Sequence, residues 1–119
     1  MDFKPPGWPT LIPRLFTHDV EGLATFLREV LGAVGEDREA APTELRIGEA
    51  MLMISDGGGL RDASRAFTYV YVPDVDAAYQ RGLAAGARSI EAPQQTPYGD
   101  RRATLEDRWG NTWQIATRT

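Results

Sequence analysis

The same order of predicted elements, a strand, a helix and three strands, occurs twice along the 119-residue chain. Asp19 and Asp74 each precede a helical pattern and are 55 positions apart, and the turn glycines Gly48 and Gly110 are 62 positions apart. One such unit alone would leave a sheet face uncovered, so the two copies should pack together. We therefore predict a single α+β domain over residues 1–119, with modules at about 9–56 and 67–118 and a linker at 57–66.

Each module contains one amphipathic helix that begins at an aspartate. An aspartate at this position can accept hydrogen bonds from the free amides of the first turn. Apolar residues then recur at helical spacing until a glycine, which favours the end of a helix. The first pattern runs from Asp19 to Gly32 and the second from Asp74 to Gly86.

Short runs rich in β-branched and aromatic residues, bounded by turn residues, predict the strands. In the first module Pro13 interrupts the first run and suggests an edge strand. The glycines at 57–59 lack the Lys-Ser/Thr of a phosphate loop and indicate a linker. The predicted strands are residues 11–16, a weaker one within 36–40, 43–47, 50–55, 67–72, 88–91, 102–106 and 112–117.

Composition excludes several classes of function. The chain has no cysteine, which removes disulfides, thiolate nucleophiles and Cys-ligated zinc. Its net charge is -4 and no segment concentrates basic residues, so we expect no nucleic-acid partner. No segment has the apolar length of a membrane span, so we expect no membrane partner and a cytoplasmic location.

The Asp74 junction, within Val72-Pro73-Asp74-Val75-Asp76, and the turn Asp107-Arg108-Trp109-Gly110-Asn111 before the last strand resemble the glyoxalase, bleomycin-resistance and extradiol-dioxygenase superfamily, also called vicinal oxygen chelate proteins. The resemblance covers roughly residues 9–117. It implies two βαβββ modules that form a curved mixed sheet around a cleft. It also implies that members with a metal hold it through four side chains, two from each module.

The resemblance and the repeat place those four positions at Ile12, Leu52, Phe67 and Gln114. Only Gln114 carries an oxygen donor, and a divalent cation needs several converging carboxylate or imidazole ligands. We therefore expect a metal-free subgroup, without a cofactor. The single histidine, His18, lies beside the first helix cap and is interpreted as an exposed junction residue.

Side chains alternate along a strand, so residues of the same parity as these four should face the cleft. The aromatic rings on that side could stack on a flat ligand. Alternatively, the aromatic row is ordinary sheet packing, Arg14 is neutralised by a carboxylate such as Glu44, and Trp109 is an exposed turn residue or a dimer contact. The candidate ligand-binding residues are Ile12, Arg14, Phe16, Leu52, Ile54, Phe67, Tyr69, Tyr71, Tyr98, Trp109, Thr112 and Gln114.

Three functions are compatible with this pattern. The first is a metal-independent homodimeric protein that sequesters an aromatic antibiotic or metabolite, as drug-resistance members of the family do. The second is an enzyme of the same superfamily, a lyase, an isomerase or a dioxygenase, with Arg14, Gln114 and a tyrosine polarising a carbonyl. The third is a structural or regulatory subunit that binds no small molecule. We identify no catalytic residue, because no acid, base or nucleophile is placed at the centre of the cleft.

Overall fold

A computed structural model describes residues 3–39, 41–56 and 63–119, and within them the chain forms two helices and seven strands. No helix among these residues has both the length and the apolar character needed to cross a bilayer. The elements in chain order are β1 (Arg14–Thr17), α1 (Val20–Leu31), β2 (Thr43–Ile47), β3 (Ala50–Asp56), β4 (Phe67–Tyr71), α2 (Val75–Ala84), β5 (Arg88–Gln95), β6 (Asp100–Glu106) and β7 (Thr112–Arg118).

Both helices begin where the aspartates predict. The Asp19 carboxylate accepts a 3.0 Å hydrogen bond from the backbone N–H of Gly22, and Asp74 accepts one of 3.2 Å from that of Ala77. Gly32 ends α1 in the left-handed conformation, with φ of 70°, which glycine adopts without steric cost. The two predicted helices are therefore confirmed.

The strands form two mixed sheets, and the predicted α+β class is confirmed. Sheet 1 has the order β1-β3-β2 and sheet 2 the order β4-β7-β6-β5. In each sheet the first strand of the module pairs in parallel with the last one, β1 with β3 and β4 with β7. The other pairs are antiparallel. The repeat seen in the sequence is thus a repeat of strand pairing.

The first module is one strand shorter than predicted. Residues 36–39 of the weaker predicted strand are exposed and irregular, and residue 40 lies outside the described residues. A single antiparallel bridge between Val34 and Arg46 stands near that place. The sequence Glu36-Asp37-Arg38-Glu39 has no apolar side chain to pack under a helix, which explains the missing strand.

The two modules share their core. Trp113 of β7 is 1% exposed and belongs to the apolar cluster built around α1, with Leu23, Leu27 and Leu45. A second cluster lies under α2 and contains Val75, Ala78, Leu105 and Ile115 among others. The helices contact each other, and the Arg81 guanidinium donates to the carbonyl oxygen of Val30 at 3.0 Å.

A buried aspartate organises the turn before β7. The carboxylate of Asp107 accepts hydrogen bonds from the backbone N–H groups of Trp109 and Asn111, and from the Asn111 amide and the Trp113 indole. The Asn111 amide oxygen in turn accepts a 2.9 Å bond from the backbone N–H of Ala66, just before β4. This turn therefore holds the beginnings of the paired strands β4 and β7 together.

Candidate functional site

Each sheet has one face turned away from the helices, which we call its open face. On sheet 1 the open face carries Arg14 and Phe16, whose strand neighbours Leu15 and Thr17 are buried. On sheet 2 it carries the aromatic row Phe67, Tyr69 and Tyr71, together with Thr112 and Gln114 of the adjacent strand. The parity predicted for β1, β4 and β7 therefore agrees with the structure.

The prediction of which β3 side chains face the cleft is wrong. Leu52 and Ile54 were expected in the cleft, but both are buried in the core under α1. Ile54 is the strand partner of Leu15, and partners in register share a face of the sheet. Every residue from Met51 to Ile54 is apolar, so the sequence of this strand does not reveal which side faces the helix.

Strand pairing also corrects the correspondence between the modules. Arg14 lies opposite Met53 in β3, just as Tyr69 lies opposite Gln114 in β7. Gln114 therefore corresponds to Met53, one residue beyond the position obtained by aligning the turn glycines. A shift of one residue along a strand moves the side chain to the other face. Met53, half-buried on the open face, is a site residue that the turn alignment missed.

The residues at the family's metal positions do not fit a divalent metal ion. Phe67 and Gln114 occupy the two positions of the second module, and the corrected positions of the first module hold Ile12 and Met53. This set offers one amide, one thioether and two hydrocarbons, where divalent cations take carboxylates and imidazoles. Among the described residues, no three His, Cys, Asp or Glu side chains group as a metal site would require.

Arg14 has local partners on sheet 1. Its Nε donates a 2.8 Å hydrogen bond to the Ser55 hydroxyl, and its guanidinium lies 5.5 Å from the centre of the Phe16 ring. Glu44, the carboxylate suggested as its partner, instead forms a 2.9 Å ion pair with Arg38. Arg14 lines a groove of about 560 Å³, which we call the arginine groove, with Val20, Arg38, Pro42 and Asp56 among its other walls.

The tyrosines of sheet 2 point their hydroxyl groups at a buried carboxylate. Tyr69 and Tyr71 donate to the same oxygen of Asp100, Oδ2, at 2.7 and 2.9 Å. The Arg118 Nε lies 3.0 Å from Oδ1, which has no hydrogen-bond donor among the described residues, so the contact neutralises charge without a directed bond. The rings of Tyr69 and Tyr71 meet edge to face, 5.5 Å apart.

A second, partly buried network lies beside the first. Glu91 accepts two hydrogen bonds of 2.9 Å from Arg102, one on each oxygen, and a further 3.0 Å bond from the Thr104 hydroxyl. The remaining Arg102 nitrogen donates to the hydroxyl of Tyr98, which lies 3.3 Å from that of Tyr69. Tyr98 thus lies beside the aromatic row, and its role in ligand binding stays a prediction. Glu91, Arg102 and Thr104 were not predicted.

These hydrogen bonds shift several pKa values. The pKa of Asp100 is lowered, chiefly because the Tyr69 hydroxyl stabilises the carboxylate, and that of Glu91 is lowered chiefly by its bonds from Arg102. The pKa of Tyr69 is raised, first by desolvation and then by its bond to Asp100. At neutral pH the site therefore combines charged Asp100 and Glu91 carboxylates with a neutral Tyr69 hydroxyl.

Tyr69 and Tyr71 of the aromatic row border an apolar groove of about 460 Å³, which we call the tyrosine groove. Its walls combine Tyr69 and Tyr71 with Leu11, Met51 and Leu52 among others, so Leu52 reaches this groove from the core side. Phe67 and Tyr71 are 70% and 57% exposed. Arg14 and the aromatic row therefore lie in two different grooves of one chain.

Trp109 and His18 lie elsewhere. The Trp109 indole donates a 3.1 Å bond to Asp19 at the start of α1, and its ring packs edge to face on Phe26, 6.0 Å away. It lines a groove on the helix side of the molecule and is no rim residue of the aromatic site. The His18 side chain is 67% exposed, which agrees with the predicted junction residue.

Comparison with known proteins identifies a matching family and several similar proteins. A sequence model of the Glyoxalase/Bleomycin resistance protein/Dioxygenase superfamily matches residues 11–115. The uncharacterised protein Mb0911c of Mycobacterium bovis is 29% identical over 124 residues, covering 90% of this chain and 82% of that protein. Similar solved structures include TioX from Micromonospora sp. ML1, with a TM-score of 0.79, 23% identity and coverage of 93% and 99% of the two chains. Another is the fosfomycin resistance protein FosX from Mesorhizobium loti, with a TM-score of 0.71, 18% identity and coverage of 93% and 92%.

Proposed function

Because the chain belongs to the glyoxalase/bleomycin resistance protein/dioxygenase superfamily, we propose that it is a metal-independent member that binds and sequesters a planar aromatic antibiotic or metabolite. The observation that carries this proposal is the open face of sheet 2, where three aromatic side chains stand in a row beside an apolar groove. A ring stacked on such a face gains about 0.5–1.5 kcal/mol per pair beyond the burial of its surface.

The polar groups of this face support binding rather than catalysis. Asp100 and Glu91 are engaged by tyrosine, threonine and arginine donors, so neither carboxylate is free to accept a proton from a ligand. Their lowered pKa values make them weak bases at neutral pH. The family's metal positions hold side chains that cannot replace the hydration shell of a divalent cation.

The complete site is proposed to form in a homodimer. Arg14, Phe16 and Met53 lie on the open face of sheet 1 and the aromatic row lies on that of sheet 2. Arg14 lines the arginine groove, whereas Tyr69 and Tyr71 line the tyrosine groove. A second copy could bring the open face of its sheet 1 against the open face of sheet 2. The exposed rings of Phe67 and Tyr71 would lose unfavourable contact with water in such an assembly.

Calorimetric titration with a panel of planar aromatic antibiotics and with 9-aminoacridine tests the proposed binding. We expect at least one to bind stoichiometrically to the wild type and to lose affinity in Tyr69→Ala and Tyr71→Ala. The matched control is Tyr79→Phe. Tyr79 belongs to α2, is buried in the apolar cluster under that helix, and donates a hydrogen bond to the Ser89 hydroxyl. No binding by any compound would overturn the proposal.

Metal analysis tests the proposed metal independence, and sedimentation tests the proposed homodimer. Protein purified without chelators should contain no stoichiometric Zn, Ni, Fe or Mn, and bound metal would favour the enzymatic alternative. The wild type should sediment as a dimer and Phe67→Glu as a monomer, because a charge would then be buried between the open faces. A monomeric wild type would contradict the shared site.

A further inference from the structure

The hydrogen-bond directions on the open face of sheet 2 restrict the ligand further. A tyrosine hydroxyl has one proton to donate. The protons of Tyr69 and Tyr71 are both directed to Asp100 Oδ2, whose lowered pKa keeps it ionised and unable to donate in return. The 3.3 Å contact between Tyr98 and Tyr69 must therefore run from Tyr98 to Tyr69. All three hydroxyl protons are used within the network.

The two guanidinium groups also direct their nitrogens to the protein. Arg102 donates through its three nitrogens to Glu91 and Tyr98. Arg118 donates to the Tyr98 carbonyl oxygen and the Tyr71 hydroxyl, and its Nε faces Asp100. These contacts use only part of the five N–H groups that each guanidinium carries, whereas the single proton of every tyrosine hydroxyl is committed to the protein. The phenolic oxygens of the row keep lone pairs to offer.

The same direction holds beside Gln114. The Thr104 hydroxyl donates its proton to Glu91 at 3.0 Å, so it can only accept from Gln114, whose amide nitrogen lies 3.4 Å away. That assignment orients the amide nitrogen toward the protein and leaves the amide oxygen as an acceptor. Gln114 thus adds an acceptor oxygen beside the tyrosine row, together with the second N–H of its amide.

We propose that Asp100, by orienting the hydroxyls of Tyr69 and Tyr71, makes this site select planar aromatic ligands whose polar edge donates hydrogen bonds, such as aromatic amines, over ligands whose edge only accepts. This inference rests on the proposed binding function. Asp100 acts as a positioning residue, because it is buried and would not touch the ligand itself. A ligand edge of carbonyl or carboxylate oxygens placed on the tyrosine row would meet lone pairs there and gain no hydrogen bond from the Tyr69 and Tyr71 hydroxyls.

Two probes with the same ring system test the inference. They are 9-aminoacridine, which donates, and acridine-9-carboxylate, which accepts, and both are titrated by fluorescence at low and high salt to screen long-range charge effects. We expect the wild type to prefer the amine by about tenfold or more, the ratio that one net hydrogen bond confers. Equal affinities, or binding of neither probe, would overturn the donor rule, whereas the proposed aromatic binding falls only if the antibiotic panel also shows no binding.

Asp100→Asn reverses the polarity. Its amide nitrogen in the Oδ2 position would donate to Tyr69 and Tyr71 and free their protons for a ligand, while its oxygen would still face Arg118. We expect the preference for the amine to fall to about threefold or less, and an unchanged ratio would overturn the inference. Tyr71→Phe provides a second test if the first variant is unstable, because it should weaken the amine and spare the carboxylate. Tyr79→Phe, whose hydroxyl bonds to Ser89, should behave like the wild type.

Discussion

The indole nitrogen of Trp113 donates a 2.8 Å hydrogen bond to Oδ2 of Asp107, and both side chains are almost fully buried. The same carboxylate caps the turn through the backbone of Trp109 and the side chain of Asn111. The sequence Asp-x-x-Gly-Asn is therefore a structural element in this protein. Its aspartate holds the last strand in place through these hydrogen bonds.

Asp107→Ala should lower the free energy of unfolding by about 3 kcal/mol or more, because it leaves buried donors of Asn111 and Trp113 without an acceptor. Urea unfolding followed by circular dichroism measures the change. Asp37→Ala is the control, since Asp37 is largely exposed and pairs with Arg28 at the surface, and its cost should stay below about 1 kcal/mol. Similar losses in the two variants would contradict the structural role of Asp107.

Alanine substitutions of two neighbouring residues of β3 should differ in their cost in unfolding free energy, because the two side chains lie on opposite faces of the sheet. Ile54→Ala creates a cavity in the core under α1 and should cost about 3 kcal/mol of unfolding free energy, with little change in ligand affinity. Met53→Ala removes a half-buried side chain from the open face and should cost about 1 kcal/mol or less. Paired unfolding and binding measurements on both variants check this, and a larger stability loss for Met53→Ala would contradict the assigned faces.

The helices and most strands follow from local chemistry, which is why the sequence predicts them. Asp19, Asp74 and Gly32 act through residues one turn away, so their effect is readable without tertiary structure. The side of β3 is different, because Met51, Leu52, Met53 and Ile54 are all apolar and their orientation depends on pairing with β1. Aligning the turn glycines gave the wrong correspondence between the two modules. Insertions in loops change the spacing along the sequence without changing which strand residues pair.

The polar half of the candidate site could not be predicted either. Asp100 follows Pro97, Tyr98 and Gly99, a combination typical of a turn, and its burial depends on Tyr69 and Tyr71 from a strand about 30 positions away. The aromatic row was predictable because strand parity is local. Asp100, which orients the tyrosines, lies in β6 and is brought near β4 only because both strands pair with β7. No local sequence pattern indicates this proximity.

Acid should weaken the fold partly through Asp100 and Glu91. Their folded pKa values lie below the ordinary values of 3.8 and 4.5, so the unfolded chain binds more protons in that range. Stability from these groups is present above those values and is lost as pH falls through the lower, folded ones. Thermal melting from neutral to strongly acid pH should give a shallower loss for Asp100→Asn than for the wild type. Parallel curves would contradict this contribution.

Gly82 should resist substitution although it lies within α2. A methyl group there would overlap the side chain of Leu105 in β6, which is fully buried. Gly82→Ala should therefore lose about 1–3 kcal/mol through overpacking, against about 1 kcal/mol gained in helix propensity. Thermal and urea unfolding measure the net loss.

A compensating variant tests the cause. Gly82→Ala combined with Leu105→Val should be more stable than the two single changes predict together, because the shorter side chain makes room for the methyl group. Gln80→Ala, at an exposed position of the same helix, should change the unfolding free energy by about 0.5 kcal/mol or less. Strict additivity would show that the overlap is relieved elsewhere.

The position of Trp113 shows how the first module depends on the second. It comes from the last strand of the second module and completes the apolar cluster around the helix of the first. A single module standing alone would expose that side of its helix, and another copy of itself is the simplest cover for it. In this chain the second module supplies that cover within one polypeptide.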